Sequence, residues 1–171
     1  MTQSTFHLAI LDRLYRLSIF AFVVSLFLAI SACSTIRLIS VYDEETDKNV
    51  TALQKKIDGF LVKIAALDGL PECTYSKHKA MYRDFDVDAT AIRVRAAAIP
   101  QNQVTTEQID EVKNIIANLE KLQQSQEDGY ASKKVDSPCV PLSALDNARN
   151  RTNAAFTKVL ELELAKRRGE K

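Results

Sequence analysis

Three acids at alternate positions, Asp84, Asp86 and Asp88, match positions one, three and five of a calcium-binding loop. Such a loop needs a glycine at position six for its sharp turn and a bidentate glutamate at position twelve. Those places hold Ala89 and Arg95, so the acids read as a solvated helix face. His78 is the one histidine after the apolar N-terminal run, and a metal site or a hydrolytic triad would have to be built on it. No Glu-x-x-His pair, Cys-x-x-Cys spacing, nucleophile motif or Gly-rich phosphate loop accompanies it. It falls on the apolar side of a helical pattern and reads as a partly buried core histidine. These absences leave no catalytic residue, no metal ligand and no cofactor to assign, and the expectation is a non-enzyme. The remaining chemistry belongs to three cysteines, Cys33, Cys73 and Cys139.

The elements that position those cysteines follow from composition and periodicity. The chain has 171 residues, 46% of them hydrophobic, with only 4 Gly and 4 Pro. That favours one packed, helical domain over disorder or a β-rich fold. The net charge is +1, without the basic excess that nucleic-acid binding requires. Taking away residues 1–32 removes Asp12, Arg13 and Arg16 and leaves acids and bases in balance. Long-range steering of a highly charged partner is excluded with them.

Arg13 and Arg16 precede a run from Leu17 to Ala32 that carries no charge. A basic region, an apolar core and small residues before a cleavage point define a secretory signal. The run ends in Ile30-Ser31-Ala32-Cys33, which resembles the lipobox of bacterial lipoproteins. The resemblance covers the N-terminal segment only. It implies diacylglycerol on Cys33, cleavage of residues 1–32 and acylation of the new amino terminus. More than one acyl chain is what stable anchoring requires. Ser34, rather than Asp, after the cysteine points to the outer membrane facing the periplasm, with the inner membrane as the alternative. An uncleaved anchor is the other reading of the segment, since about 20 apolar residues span a bilayer. Both readings place the rest of the chain outside the cytoplasmic membrane.

Residues 33–42 then form an anchor segment, and 43–171 a helical domain. Its first helix is expected from Ser40 to Asp68, with Val50, Leu53, Ile57, Phe60, Ile64 and Leu67 alternating three and four apart. Gly69-Leu70-Pro71 stops it. The second is expected from Thr74 to Ile99 along Tyr75, His78, Tyr82, Phe85, Ala89, Ile92 and Ala96. The third is expected to be capped by Thr105 and Gln108, with Val104 stapled to Ile109. It runs along Val112, Ile116 and Leu119 to Asp128-Gly129. The connection Asp128–Val140 follows. A fourth runs from Leu142 to Arg168 along Leu145, Ala148, Ala155, Phe156, Val159 and Leu162. Four helices with mostly short connections predict an all-α, up-down-up-down bundle. Elongated helical hairpins are the alternative.

In that bundle the loop after the first helix and the loop before the fourth lie at one end. Cys73 and Cys139 therefore meet, and an oxidising compartment makes a disulfide their expected fate. A redox or metal-binding pair is the weaker alternative. The opposite end carries the anchor and the returning fourth helix, so Lys166, Arg167 and Arg168 are candidate contacts with anionic lipid; ordinary helix C-terminal cations are the other reading. Loops on a rigid scaffold carry recognition, which makes Tyr130, Lys133 and Lys134 the candidate interaction surface. The expected role is a lipid-anchored envelope protein that docks on an envelope protein partner. The alternatives are a binder of a small hydrophobic ligand, given room by Ala89 and Ala96, and an immunity or inhibitor protein.

Overall fold

Asp43 starts the first helix. Its carboxylate accepts from the Thr46 amide at 3.1 Å and the Thr46 hydroxyl at 2.6 Å, satisfying a donor that the helix itself leaves open. Glu44, Glu45 and Asp47 add negative charge to the same turn, where the helix dipole favours it. The computed structural model describes residues 40–169. Within them lie α1 (Glu44–Ala66), a 3₁₀ turn (Pro71–Cys73), α2 (Tyr75–Ala97), α3 (Gln103–Ala131) and α4 (Leu142–Gly169). No strand occurs among the described residues, and no helix among them is long and apolar enough to cross a membrane. The signal segment and Cys33 lie outside the described residues.

Each helix packs on the two beside it: α1 on α2 and α4, and α3 on α2 and α4. The chain therefore goes up, down, up and down around one core. The contact of α1 with α4 closes the ring, so the bundle stands and not the separated hairpins. The seams supply that core. Val50, Leu53, Ile57, Phe60 and Ile64 of α1 are buried, as are Ile109, Val112, Ile116 and Leu119 of α3. Phe60 sits at the centre of an aromatic group, edge-on to Tyr82 and Phe85 with ring centroids 5.2 Å away in each case. Edge-to-face geometry sets the positive ring edge against a negative ring face.

Besides shifts of one or two residues at the end of α1 and at both ends of α2, three boundaries differ from the sequence expectation. The first helix begins at Glu44 and not Ser40, because Asp43 takes the cap. The third begins at Gln103, so Thr105 lies inside the helix. Its hydroxyl faces Glu163 of α4 at 3.3 Å in place of a capping box, and Val104 is half-exposed, not stapled to Ile109. The third helix also runs through Gly129 to Ala131, shortening the connection to residues 132–141. The reason lies in the turn that follows. Lys134 N donates to Gly129 O at 2.8 Å and Lys133 N to Tyr130 O at 3.0 Å, a Schellman ending. Lys133 takes the left-handed position at φ 56°. Gly129 stays helical beneath Val135, whose Cγ2 would stand 3.2 Å from a Cβ placed there.

Candidate functional site

The two ends of the bundle carry its distinctive chemistry. At one end Cys73 and Cys139 form a disulfide with Cα atoms 5.3 Å apart. It joins the α1–α2 connection to the α3–α4 connection, as the topology requires. The Gly69 amide, at φ 77°, points to the Cys139 sulfur at 3.3 Å. A buried polar chain supports the same loop. Tyr82 donates to Gln123 Oε1 at 2.6 Å, and Gln123 Nε2 donates to the Cys73 carbonyl at 2.6 Å. Burial holds the Tyr82 hydroxyl well above its ordinary value, so it stays a proton donor. His78 is buried, donates from Nε2 to the Glu72 carbonyl at 2.8 Å and meets the Phe60 ring edge-on. Its ring is committed to holding the 3₁₀ turn.

This end also gathers exposed apolar side chains. Leu70, Tyr130, Val135 and Leu142 are each between 37% and 51% exposed. Lys133 and Lys134 stand exposed beside Tyr130 and Val135 in the chain. The candidate interaction residues thus share one end, although Tyr130 belongs to the last turn of α3 rather than to a loop.

At the other end, where residue 40 enters, a fully buried polar cluster joins three elements. Lys166 Nζ donates to Glu163 Oε1 at 2.5 Å and to Asn102 Oδ1 at 2.6 Å, and lies 3.5 Å from Thr105 Oγ1. Ser40 Oγ donates to the same Asn102 oxygen at 3.1 Å, and Asn102 Nδ2 returns a bond to Ala96 O. Glu163 Oε2 is buried and accepts no hydrogen bond within the bundle. Lys166 is therefore not a lipid contact, contrary to the sequence expectation. Three residues after Glu163, it falls on the inward face of α4. Arg167 lies over the Tyr42 ring at 5.7 Å, and Arg168 is exposed. Val41, Val104 and Leu164 are exposed apolar residues near the same helix termini.

Outside this cluster Arg95 grips Asp43 with two bonds, at 2.5 and 2.7 Å. That guanidinium, with the Thr46 hydroxyl and amide, holds the Asp43 carboxyl well below the usual carboxylate range despite some desolvation. The helix cap and the interhelical tie are thus the same side chain.

The three acids that resembled a calcium loop serve as ties between helices. Asp88 meets Lys56 at 2.9 Å, Asp84 approaches the same lysine at 3.9 Å, and Asp86 meets Lys113 at 3.1 Å. Among the described residues no group of three or more His, Cys, Asp or Glu side chains is placed to hold a metal ion. Sequence reasoning missed Glu163, Asn102, Thr105 and Gln123 as buried residues. The available signal was register, since Thr105 and Gln123 continue the α3 seam by four residues at either end.

Comparison with protein-family models, with curated proteins and with solved structures finds no match for this chain.

Proposed function

We propose that this chain is a lipid-anchored protein of the bacterial envelope whose bundle presents its disulfide-clamped end to another envelope protein, without catalysis of its own. The carrying observation is that Leu70, Tyr130, Val135 and Leu142, each 37–51% exposed, all lie at the end stapled by Cys73–Cys139. Apolar side chains grouped on a rigid support mark interaction surfaces more than scattered ones do. The disulfide supports an oxidising compartment, in line with the lipobox resemblance at Cys33. The 29 residues of α3 make the bundle about 43 Å long, which separates the disulfide end from the end where residue 40 enters.

At the tethered end, Arg167 and Arg168 with Val41, Val104 and Leu164 form the face turned to the membrane. Lysine and arginine near anionic headgroups contribute up to about 1 kcal/mol each, and apolar neighbours add burial. Lys166 has no part in it.

The test is site-specific photo-crosslinking in cells. A photoreactive residue at Tyr130 or Lys134 is expected to give a discrete adduct with one envelope protein, and the same group at the exposed flank residue Lys158 none. Equal labelling at all three positions, or none at the disulfide end, contradicts the reading.

A further inference from the structure

The start of α4 is tied covalently to the rest of the bundle, since Cys139 just before it is joined to Cys73. Near its other end the same helix brings an amine, a carboxyl group and a carboxamide together out of water. Lys166, Glu163 and Asn102 are all buried, the first two on α4 and the third in the α2–α3 turn. Lys166 Nζ stands 2.6 Å from Asn102 Oδ1. The amide carbon, one C=O bond further on, is then close to the roughly 3–3.5 Å at which reacting atoms are poised. Three bonds orient the carboxamide. Its oxygen accepts from Lys166 and from Ser40 Oγ, and its nitrogen donates to Ala96 O.

We propose that Lys166 and Asn102 join through an amide bond in the folded chain, with Glu163 as the proton carrier and Ser40 as the oxyanion donor. A lysine attacks as the free amine, and removal from water is what favours that form. Glu163 Oε1, 2.5 Å from Nζ, is placed to take the ammonium proton. The Nζ lone pair adds to Cγ, and the carbonyl electrons move onto Oδ1, which Ser40 Oγ approaches at 3.1 Å. Glu163 passes its proton to Nδ2 and accepts another from Nζ. The C=O bond re-forms, the Cγ–Nδ2 bond breaks, and ammonia leaves. The new amide nitrogen keeps one proton and Glu163 ends neutral, so no oxidant or co-reactant is needed. Glu163 Oε2 has no hydrogen-bond partner within the bundle, which leaves it free to hold the travelling proton.

The bond would close the end of α4 onto the α2–α3 turn, as the disulfide closes its start, by a link that reduction does not cleave. It is a single self-modification and is independent of the interaction role proposed above. Until it forms, the folded chain holds the Lys166–Glu163 ion pair, and the stability cost of that pair belongs to the unreacted form, which its mass distinguishes.

Peptide mass spectrometry of the full chain, purified from membranes in detergent and then incubated, tests it. The natural chain is expected to yield a branched peptide joining the Asn102 and Lys166 segments, lighter by one ammonia, with no tryptic cut at Lys166. Lys166→Arg is expected to yield no branch. Glu163→Gln keeps the size of the side chain and is expected to slow branching at least about a hundredfold, the scale of a lost proton carrier. Ser40→Ala is expected to slow it at least about tenfold, through loss of one oxyanion donor. Helical circular dichroism confirms that each variant compared is folded, and Ser40→Ala carries the comparison if Glu163→Gln does not fold. The natural chain held in urea is expected to yield no branch. Only linear peptides from the natural chain after prolonged incubation, ammonia lost within the Asn102 segment alone, an unchanged rate in the folded variants, or an equal yield in urea overturns the proposal.

Discussion

Lys166 Nζ stands 2.5 Å from Glu163 Oε1, three residues back along α4, with the two side chains 1% and 0% exposed. Removing two charges from water is expensive, and their attraction repays it only when other bonds complete the set. Lys166 has that set in Asn102 and Thr105, whereas Glu163 leaves Oε2 unbonded. The pair therefore holds the end of α4 in register against the α2–α3 turn at a cost in stability.

Breaking one side of that pair is expected to be worse than removing both. Lys166→Met leaves Glu163 buried without its cation and is expected to cost about 3–5 kcal/mol, while Lys166→Met with Glu163→Leu is expected to come within about 1 kcal/mol of the natural chain. Denaturant unfolding of the three proteins decides it. A double variant as unstable as the single one contradicts the account.

The disulfide closes a loop with a sequence separation of 66 and is expected to contribute about 4 kcal/mol, chiefly by restricting the unfolded chain. Cys73→Ser with Cys139→Ser, compared with the oxidised chain by the same unfolding experiment, checks this. Because Gln123 bonds the Cys73 carbonyl and not its sulfur, the local loop is expected to persist in the double variant. Slowed amide exchange near residue 73 reads that out.

Asp43 sets an acid limit. Its folded carboxyl lies well below the usual range, with Arg95 the largest cause, so its contribution is complete above its unfolded value of about 3.9 and is lost as pH falls further towards the folded one. Asp43→Asn keeps a good helix cap and removes the charge. It is expected to lower stability by about 1 kcal/mol at pH 7, discounted because Arg95 is half-exposed, and to flatten the fall in stability below about pH 4. Parallel unfolding curves across pH for the two proteins are the check. An equally steep fall in the variant assigns the acid limit to other groups.

Lys133 occupies a left-handed position that glycine adopts without a steric penalty. Lys133→Gly is expected to be neutral or to gain up to about 1 kcal/mol, since relief of the Cβ clash is set against a more flexible unfolded chain. Gly129→Ala is expected to stay within about 1 kcal/mol of the natural chain, its better helix propensity offset by a Cβ 3.2 Å from Val135 Cγ2. Melting temperatures of both variants test the assignment of the Schellman ending.

The four helices, their order and the meeting of Cys73 with Cys139 were legible because apolar residues three and four apart mark a helix face, and because short connections force antiparallel neighbours. The ends of the seams were not. Reading only apolar residues ends the α4 seam at Leu162, yet the buried face runs from Val159 to Glu163 and Lys166, four and then three residues further on. Long polar side chains at seam positions look like solvated ones until tertiary partners such as Asn102 and Ser40 are known. Thr105 misled for a related reason: a hydroxyl three residues before a glutamine fits a capping box, but the helix had already started and the hydroxyl faced another helix. The apolar cluster at the disulfide end was half legible, since Tyr130, Lys133 and Lys134 are close in sequence while Leu70 and Leu142 reach that end only through the fold.

The most direct measurement is the mass of the mature protein's N-terminal peptide from membranes, with Cys33→Ala as the control. The account predicts a chain that begins at Cys33 and carries acyl chains there, and a Cys33→Ala protein that is neither acylated nor cut at that position. A natural chain that keeps residues 1–32, or one cleaved elsewhere without lipid on Cys33, contradicts it.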